Sequence, residues 1–295
     1  MKDMKQLQFF TFVVLMVSVT HLSAQAQIDR KRASTSSPVA EVFLTPSVVT
    51  MSSVTNLPRH NMNVTIMHTF GLVSDGVSEL FGLDAPANIR FGFDYGITDR
   101  LSVGVGRSRY DKLFDFRTKA NVLRQTRDDR IPVEIAVKAD VGIMTLKNGF
   151  DLTDRLSFLT AVLLARKFTE SVSVQITPMF SHFNSVFVIP DGQDDVIREE
   201  NDHFAVGLAL RIGLGQRVAL LAEYIPVVGK RSDGTRDELA VALNMETGGH
   251  VFQLFVKTSQ WLTEQHVIAR NSEQFLSGDF RFGFNVNRFF GLDRQ

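Results

Sequence analysis

Apolar and polar residues alternate along most of this chain, from about Asn61 to Phe290. A period of two sends successive side chains to opposite faces of a β-strand. Twelve segments follow it or are rich in β-formers, at roughly 62–71, 87–97, 100–109, 112–122, 131–145, 155–168, 171–183, 201–213, 217–227, 237–246, 250–259 and 279–290. In the last, GDFRFGFNVNRFF, one face carries Phe280, Phe282, Phe284 and Val286, and the other Arg281, Gly283, Asn285 and Asn287. Ile89, Phe91, Phe93, Tyr95 and Ile97 interleave with Arg90, Gly92, Asp94 and Gly96. Phe204, Val206, Leu208, Leu210 and Ile212 interleave with Ala205, Gly207, Ala209 and Arg211. Most segments reach the ~9–11 residues that a tilted membrane strand needs.

The links between segments differ by parity. Ile97–Arg100, Phe168–Ser171, Leu214–Gln216 and Thr247–Gly249 are tight turns of turn-forming residues. Between them lie longer links at 72–86, 146–154, 184–200, 228–236 and 260–278. Short turns at one end and long loops at the other describe a transmembrane barrel. Two links depart from the rule: 109–112 is short where a long one is due, and 123–130 (LRQTRDDR) is long where a short one is due. An even strand number puts both termini at the short-turn, periplasmic end.

Alternation also suits a secreted soluble barrel, with its apolar face inward. The polar face here mixes Gly, Ala and Ser with Arg, Asp and Lys, which fits a crowded lumen. The start of the chain points to export. Lys2 and Lys5 precede an apolar run from Phe9 to Val19, and Ala24-Gln25-Ala26 is a small-x-small cleavage site. The run is too short to span ~30 Å of hydrocarbon as a helix. The expected organisation is therefore a signal peptide at 1–26, a periplasmic N-terminal tail with a short strand at 27–60, and an all-β antiparallel transmembrane barrel of about 12 strands at 61–295. The short strand falls in Val42–Val54, where Pro46 and weak alternation lower its rank.

Composition narrows the chemistry. Formal net charge is +0, which argues against a nucleic-acid partner. The absence of Cys excludes disulfides, thiolate metal sites and Cys nucleophiles. There are 25 Phe against 3 Tyr and 1 Trp, so the aromatic faces are greasy rather than amphipathic.

Several motifs point to one family. They are Phe81-Gly82-Leu83-Asp84, Ala87–Gly92, Tyr95–Leu101, Met245–Leu254 and the closing Gly278–Asn285. Over about residues 45 to 290 the chain resembles the uncharacterised β-barrel family known as domain of unknown function 5777, typical of Bacteroidetes envelopes. The resemblance implies an outer-membrane or envelope barrel and supplies no catalytic residues. The chain ends FFGLDRQ, a few residues past the aromatic position where many such barrels stop.

Arg90, Arg117, Lys119, Lys138, Arg211, Lys257 and Arg281 fall on the inferred inner face, with Asp94, Asp115, Glu134, Asp140 and Glu223. On the lipid face an Arg or Lys costs about 2–4 kcal/mol at the midplane, so these charges point inward. They either brace a narrow barrel or form a charged constriction. Seven bases against five acids leave a nominal excess of two positive charges, so an open lumen would weakly prefer anions. Ser181 and His182 (SHFNS) are neighbours on one strand and face opposite sides, so they do not pair. His250 follows a Gly-Gly turn and reads as structural. His266 and Trp261 sit in the longest outer loop, against a ligand or the headgroups. Gly104–Tyr110 lacks the context of a phosphate loop. Gly76–Asp84 suits a helical turn in an outer loop, and Asp191–Asp202 is an acidic loop.

The function expected from these residues is non-enzymatic: a narrow pore or binding barrel for small hydrophilic solutes, with outer-membrane lipid around it and no cofactor. The alternative is a closed structural or partner-binding barrel. A membrane-embedded hydrolase ranks below both for want of a convergent triad.

Overall fold

The computed structural model describes residues 37–147, 149–186, 188–190 and 196–292. The expected signal peptide, the first part of the expected tail and residues 191–195 of the acidic loop lie outside these residues. Among the described residues no helix is long and apolar enough to cross a membrane.

Twelve antiparallel strands close into one barrel. They are β1 (Asn61–Leu72), β2 (Asn88–Gly96), β3 (Leu101–Ser108), β4 (Phe114–Leu123), β5 (Glu134–Ile143), β6 (Leu156–Lys167), β7 (Val172–Phe183), β8 (Asp202–Gly213), β9 (Val218–Ile225), β10 (Glu238–Glu246), β11 (His250–Lys257) and β12 (Arg281–Gly291). Val227–Val228 continues β9 past Pro226 and stays paired with β8. Each strand pairs with its chain neighbour, and β1 closes on β12 with Asn61 opposite Gly291 and Ile66 opposite Val286. Closure leaves no strand edge unpaired, which a hydrocarbon surround demands.

The sign of the alternation decides the solvent. Phe91, Phe93, Phe116, Ile176, Phe180, Leu254 and Phe282 are exposed on the outer wall. Arg281, Asn285, Asn287 and Lys257 are buried on the inner wall. A soluble barrel has the opposite arrangement.

The long links gather at the end away from the termini. One, between β7 and β8, carries a short ladder of Val188–Pro190 against Val196–Arg198. Gly76–Asp84 contains the expected turn, as a kinked 3-10 segment at Val77–Gly82. The link between β11 and β12 does not stay outside. It turns inward and forms α1 (Glu264–Arg270), in which Glu264 through Ala269 are all buried.

The stretch expected to be a tail differs most. Residues 42–55 enter the barrel from the short-turn end as a hairpin. Val42, Phe43, Val48, Val49, Met51 and Val54 are buried there. The tip is a turn closed by Val48 N–H donating to Met51 O at 2.7 Å, with Ser47 bridged to Ser52 behind it. Thr55 Oγ1 accepts from Phe43 N and donates to Phe43 O, which ties the two legs at the base. The unexpectedly long link between β4 and β5 belongs to this hairpin. Pro38 bridges Thr126, Val39 N–H donates to Gln125 O and Arg127 N–H donates to Ser37 O, so the link receives the incoming chain as a short ladder.

Candidate functional site

A turn inside a barrel buries backbone polar groups that have no strand beside them, and each unpaired one costs ~1–3 kcal/mol. Here the wall's side chains supply the partners. Glu223, on β9, accepts the N–H groups of Val49 (2.9 Å), Thr50 (3.2 Å) and Met51 (3.1 Å). Gln175, on β7, accepts from Val54 N at 2.7 Å and donates to Ser52 O at 2.8 Å. Gln253 (β11) donates to Val48 O at 2.7 Å, Asn285 (β12) to Val49 O at 3.1 Å and Asn121 (β4) to Val54 O at 3.0 Å. Lys119 (β4) caps three hairpin carbonyls, at Ser53 (2.8 Å), Thr55 (2.6 Å) and Pro46 (3.3 Å). Five strands thus converge on one hairpin.

The hairpin's side chains meet the other half of the wall. Ala136, Leu159, Leu163, Met179, Ala205, Leu221 and Phe255 join the hairpin's apolar residues in one buried cluster. Gly207 in β8 is where Met51 sits: a Cβ there would collide with the Met51 sulfur.

On the β2–β5 side the wall is a lattice of ion pairs. Arg90 grips Asp115 through Nε (2.9 Å) and Nη2 (2.7 Å). Arg117 reaches Asp94 at 2.7 Å and also bonds Asp115. Lys138 lies 2.7 Å from Asp140 and pairs with Glu264 of α1. Gly104 and Gly106 face this lattice, because a Cβ at either would strike the Asp94, Arg117, Arg90 or Asp115 groups. The glycines of GVGRSRY therefore make room for ion pairs. A cavity of about 70 Å³ remains between lattice, hairpin and α1, with space for a few waters.

α1 closes the lumen from the other end and touches the hairpin, with Ser52 N–H donating to Glu264 Oε1 at 2.7 Å. Lys257 ties wall, hairpin and loop together: its Nζ donates to Thr50 Oγ1 and to Trp261 O, each at 2.7 Å, and lies 3.5 Å from Glu238 Oε1. His266 is buried against Trp261 and Phe183, and bonds Thr263 Oγ1. Burial holds its imidazole well below the usual histidine range. Trp261 and His266 thus pack inside the barrel and not among the headgroups. The short link at 109–113 has its own contact here. Asp111 pairs with Arg270 of α1 at 3.0 Å, and burial raises its carboxyl above the usual range although Arg270 opposes the shift.

The remaining sequence candidates are scattered. Glu134 accepts from Asn121 at 2.9 Å near the hairpin base. Arg211 is buried near the short-turn end, within electrostatic reach of Glu41. Arg281 pairs with Glu273 of the inward loop at 2.6 Å. His182 faces outward and bonds Asp202 at 2.7 Å, while Ser181 is buried inside. His250 lies 3.2 Å from Arg288 and stacks on Phe252. Among the described residues no group of acids and histidines is placed to hold a metal ion.

Sequence reasoning passed over Gln175, Asn121 and Gln253, whose polar inner positions looked like ordinary lumen, and gave Asn285 a place on the inner face without a role. It also missed Glu238 and Glu264, which are both buried. With them the inner acids equal the inner bases, and the expected two-charge excess disappears.

The family model described as "membrane bound beta barrel domain (DUF5777)" matches residues 43–290. The match begins inside the hairpin, which is thus part of the domain. No curated protein matches the sequence. Solved structures similar to this chain include the NanC porin, at 7% identity and TM-score 0.49 over 78% of this chain and 99% of that one. An outer membrane channel from Pseudomonas putida F1 is 12% identical with TM-score 0.45, over 80% and 98%. Outer membrane phospholipase A from Escherichia coli is 10% identical with TM-score 0.40, over 83% and 98%.

Proposed function

The chain belongs to the family of membrane bound β-barrel domains, and from that premise we propose that it is an outer-membrane barrel that passes or holds a small hydrophilic solute. Its lumen is closed at rest by the hairpin from one end and α1 from the other. The apolar belt and the export-type leader support the outer membrane as its place. The observation that carries the gated reading is Glu223, whose carboxylate accepts the Val49, Thr50 and Met51 amides. A plug held by non-covalent bonds and joined to the barrel at Asn61 is one that can leave. Equal inner acids and bases leave the passage little charge selectivity.

The test is planar-bilayer conductance of the full-length protein carrying an engineered protease site at Pro58–Arg59, both exposed at the hairpin base. Intact protein is expected to be nearly silent. After cutting, and a mild guanidinium wash that removes the hairpin (checked by mass), ohmic conductance should appear with a reversal potential near zero in a salt gradient. A washed barrel as silent as the intact one would overturn the proposal and leave a closed structural role.

A further inference from the structure

The geometry points to an oligopeptide as the solute that this lumen binds, with the hairpin as the chain's own occupant of that site; this inference rests on the gated reading above. Every wall contact from Glu223, Gln175, Gln253, Asn285 and Asn121 goes to hairpin main chain and none to a hairpin side chain. These five residues therefore read the alternation of N–H and C=O groups, which every peptide carries; Lys257, which donates to Thr50 Oγ1, makes the wall's one bond to a hairpin side chain among the described residues.

The chemistry is selective for that class. Glu223 is 1% exposed. A carboxylate so buried needs several donors close together, and consecutive amides supply them. A simple anion offers Glu223 none. A polyamine offers donors to Glu223 and nothing to the amide donors of Gln253 and Asn285, which need carbonyl-type acceptors beside it. A peptide turn presents both within a few ångströms. The apolar half of the wall adds a preference for aliphatic side chains, as where Gly207 admits Met51. Side-chain amides here do for a lumenal peptide what a sheet edge does in strand addition, giving affinity through main-chain bonds and leaving specificity to pockets.

The test uses the cut and washed protein with synthetic peptides labelled at the N-terminus with dansyl. The first carries the sequence of residues 42–57. The second has its apolar residues permuted among the apolar positions. The third is the first with N-methyl groups on the residues at positions 49 and 51. Expected is saturable binding of the first peptide, binding of the permuted one within about tenfold, and at least a tenfold loss on methylation, since each lost bond to a charged acceptor is worth ~1.5–3 kcal/mol. Binding of the first peptide alone would overturn the inference, because it would mark a dedicated plug. So would equal binding of the methylated peptide, or no binding at all. Conductance of the same washed barrel separates the two claims: a barrel that conducts and binds no peptide refutes this inference and leaves the gated pore standing.

Discussion

Between β2 and β5 the inner wall is charged, and between β6 and β10 it is apolar and small. The charged side spends its polar groups on itself: Arg90, Asp115, Arg117 and Asp94 are each other's partners. The apolar side presents Leu159, Leu163, Ala205, Ala209 and Leu221, with Gln175 and Glu223 set among them. On the first side the lattice of Arg90, Asp115, Arg117 and Asp94 is paired within the wall and keeps a small cavity, while Lys119 and Asn121 of the same side turn to the hairpin. The second leans on its occupant: Gln175 has Thr177 Oγ1 beside it on the wall, but its carbonyl oxygen and both carboxylate oxygens of Glu223 accept hairpin amides. The difference separates two uses of polar residues in one lumen, bracing and gripping, that composition alone does not distinguish.

The largest expected effect comes from removing the grip. Glu223→Ala strands three hairpin amides and takes away a carboxylate near Lys257. Breaking a buried charged network by deleting one member typically costs about 3–5 kcal/mol. The hairpin should become open to chymotrypsin at Phe43 and Leu44 while the gel band still shifts on heating. Unchanged protection would mean that apolar packing alone holds the hairpin, and the distinction between gripping and bracing would fail.

Arg90→Met tests the other side. Asp115 keeps Arg117, so the loss should sit near the lower end of that range, about 3 kcal/mol. It should appear as a lower guanidinium midpoint for the heat-modifiable band, with the hairpin as protected as in wild type. Release of the hairpin by this change would show that the two sides act as one network.

Gly207→Val gives the smallest effect. The added methyl groups meet Met51, and overpacking of this kind costs about 1–3 kcal/mol. A modest gain in chymotrypsin cutting is expected, and pairing it with Met51→Ala should restore protection. Failure of the second change to rescue the first would place the strain in the strand and not at the hairpin.

The barrel was legible because strand period, lipid-length segments and loop parity all reported the same object. Phe282 and Arg281 fall on opposite faces whichever way the barrel is solvated, and burial then says which face is wet. The hairpin was not legible. Pro46 and the weak alternation of Val42–Val54 demoted it as a strand, and it is indeed no part of the sheet. Its partners, Asn121, Gln175, Gln253 and Asn285, occupy inner positions that read as generic polar lining. One signal was present and lacked an interpretation: the overlong link at 123–130, which receives Pro38 and Val39. α1 is only seven residues long and too short to leave a periodicity, so its buried Glu264 passed unnoticed.

The chain meets its own hairpin in reverse order. Residues 42–55 are made before any strand, yet Glu223 lies 172 to 174 positions downstream of the amides it accepts, and Asn285 lies 236 downstream of Val49. Lys119, Asn121 and Gln175 are in place earlier, but Glu223, Gln253 and Asn285, which hold the tip of the hairpin, arrive only when β9, β11 and β12 have joined the sheet. Until then its valines, Phe43 and Met51 have only the β5–β8 part of their wall to lie against. Either the closing barrel wraps around the hairpin or the hairpin threads in afterwards through the short-turn end. In both cases its docking is complete only once the last strands are in the sheet, and on the gated reading that is the step at which a maturing barrel passes from permeable to sealed.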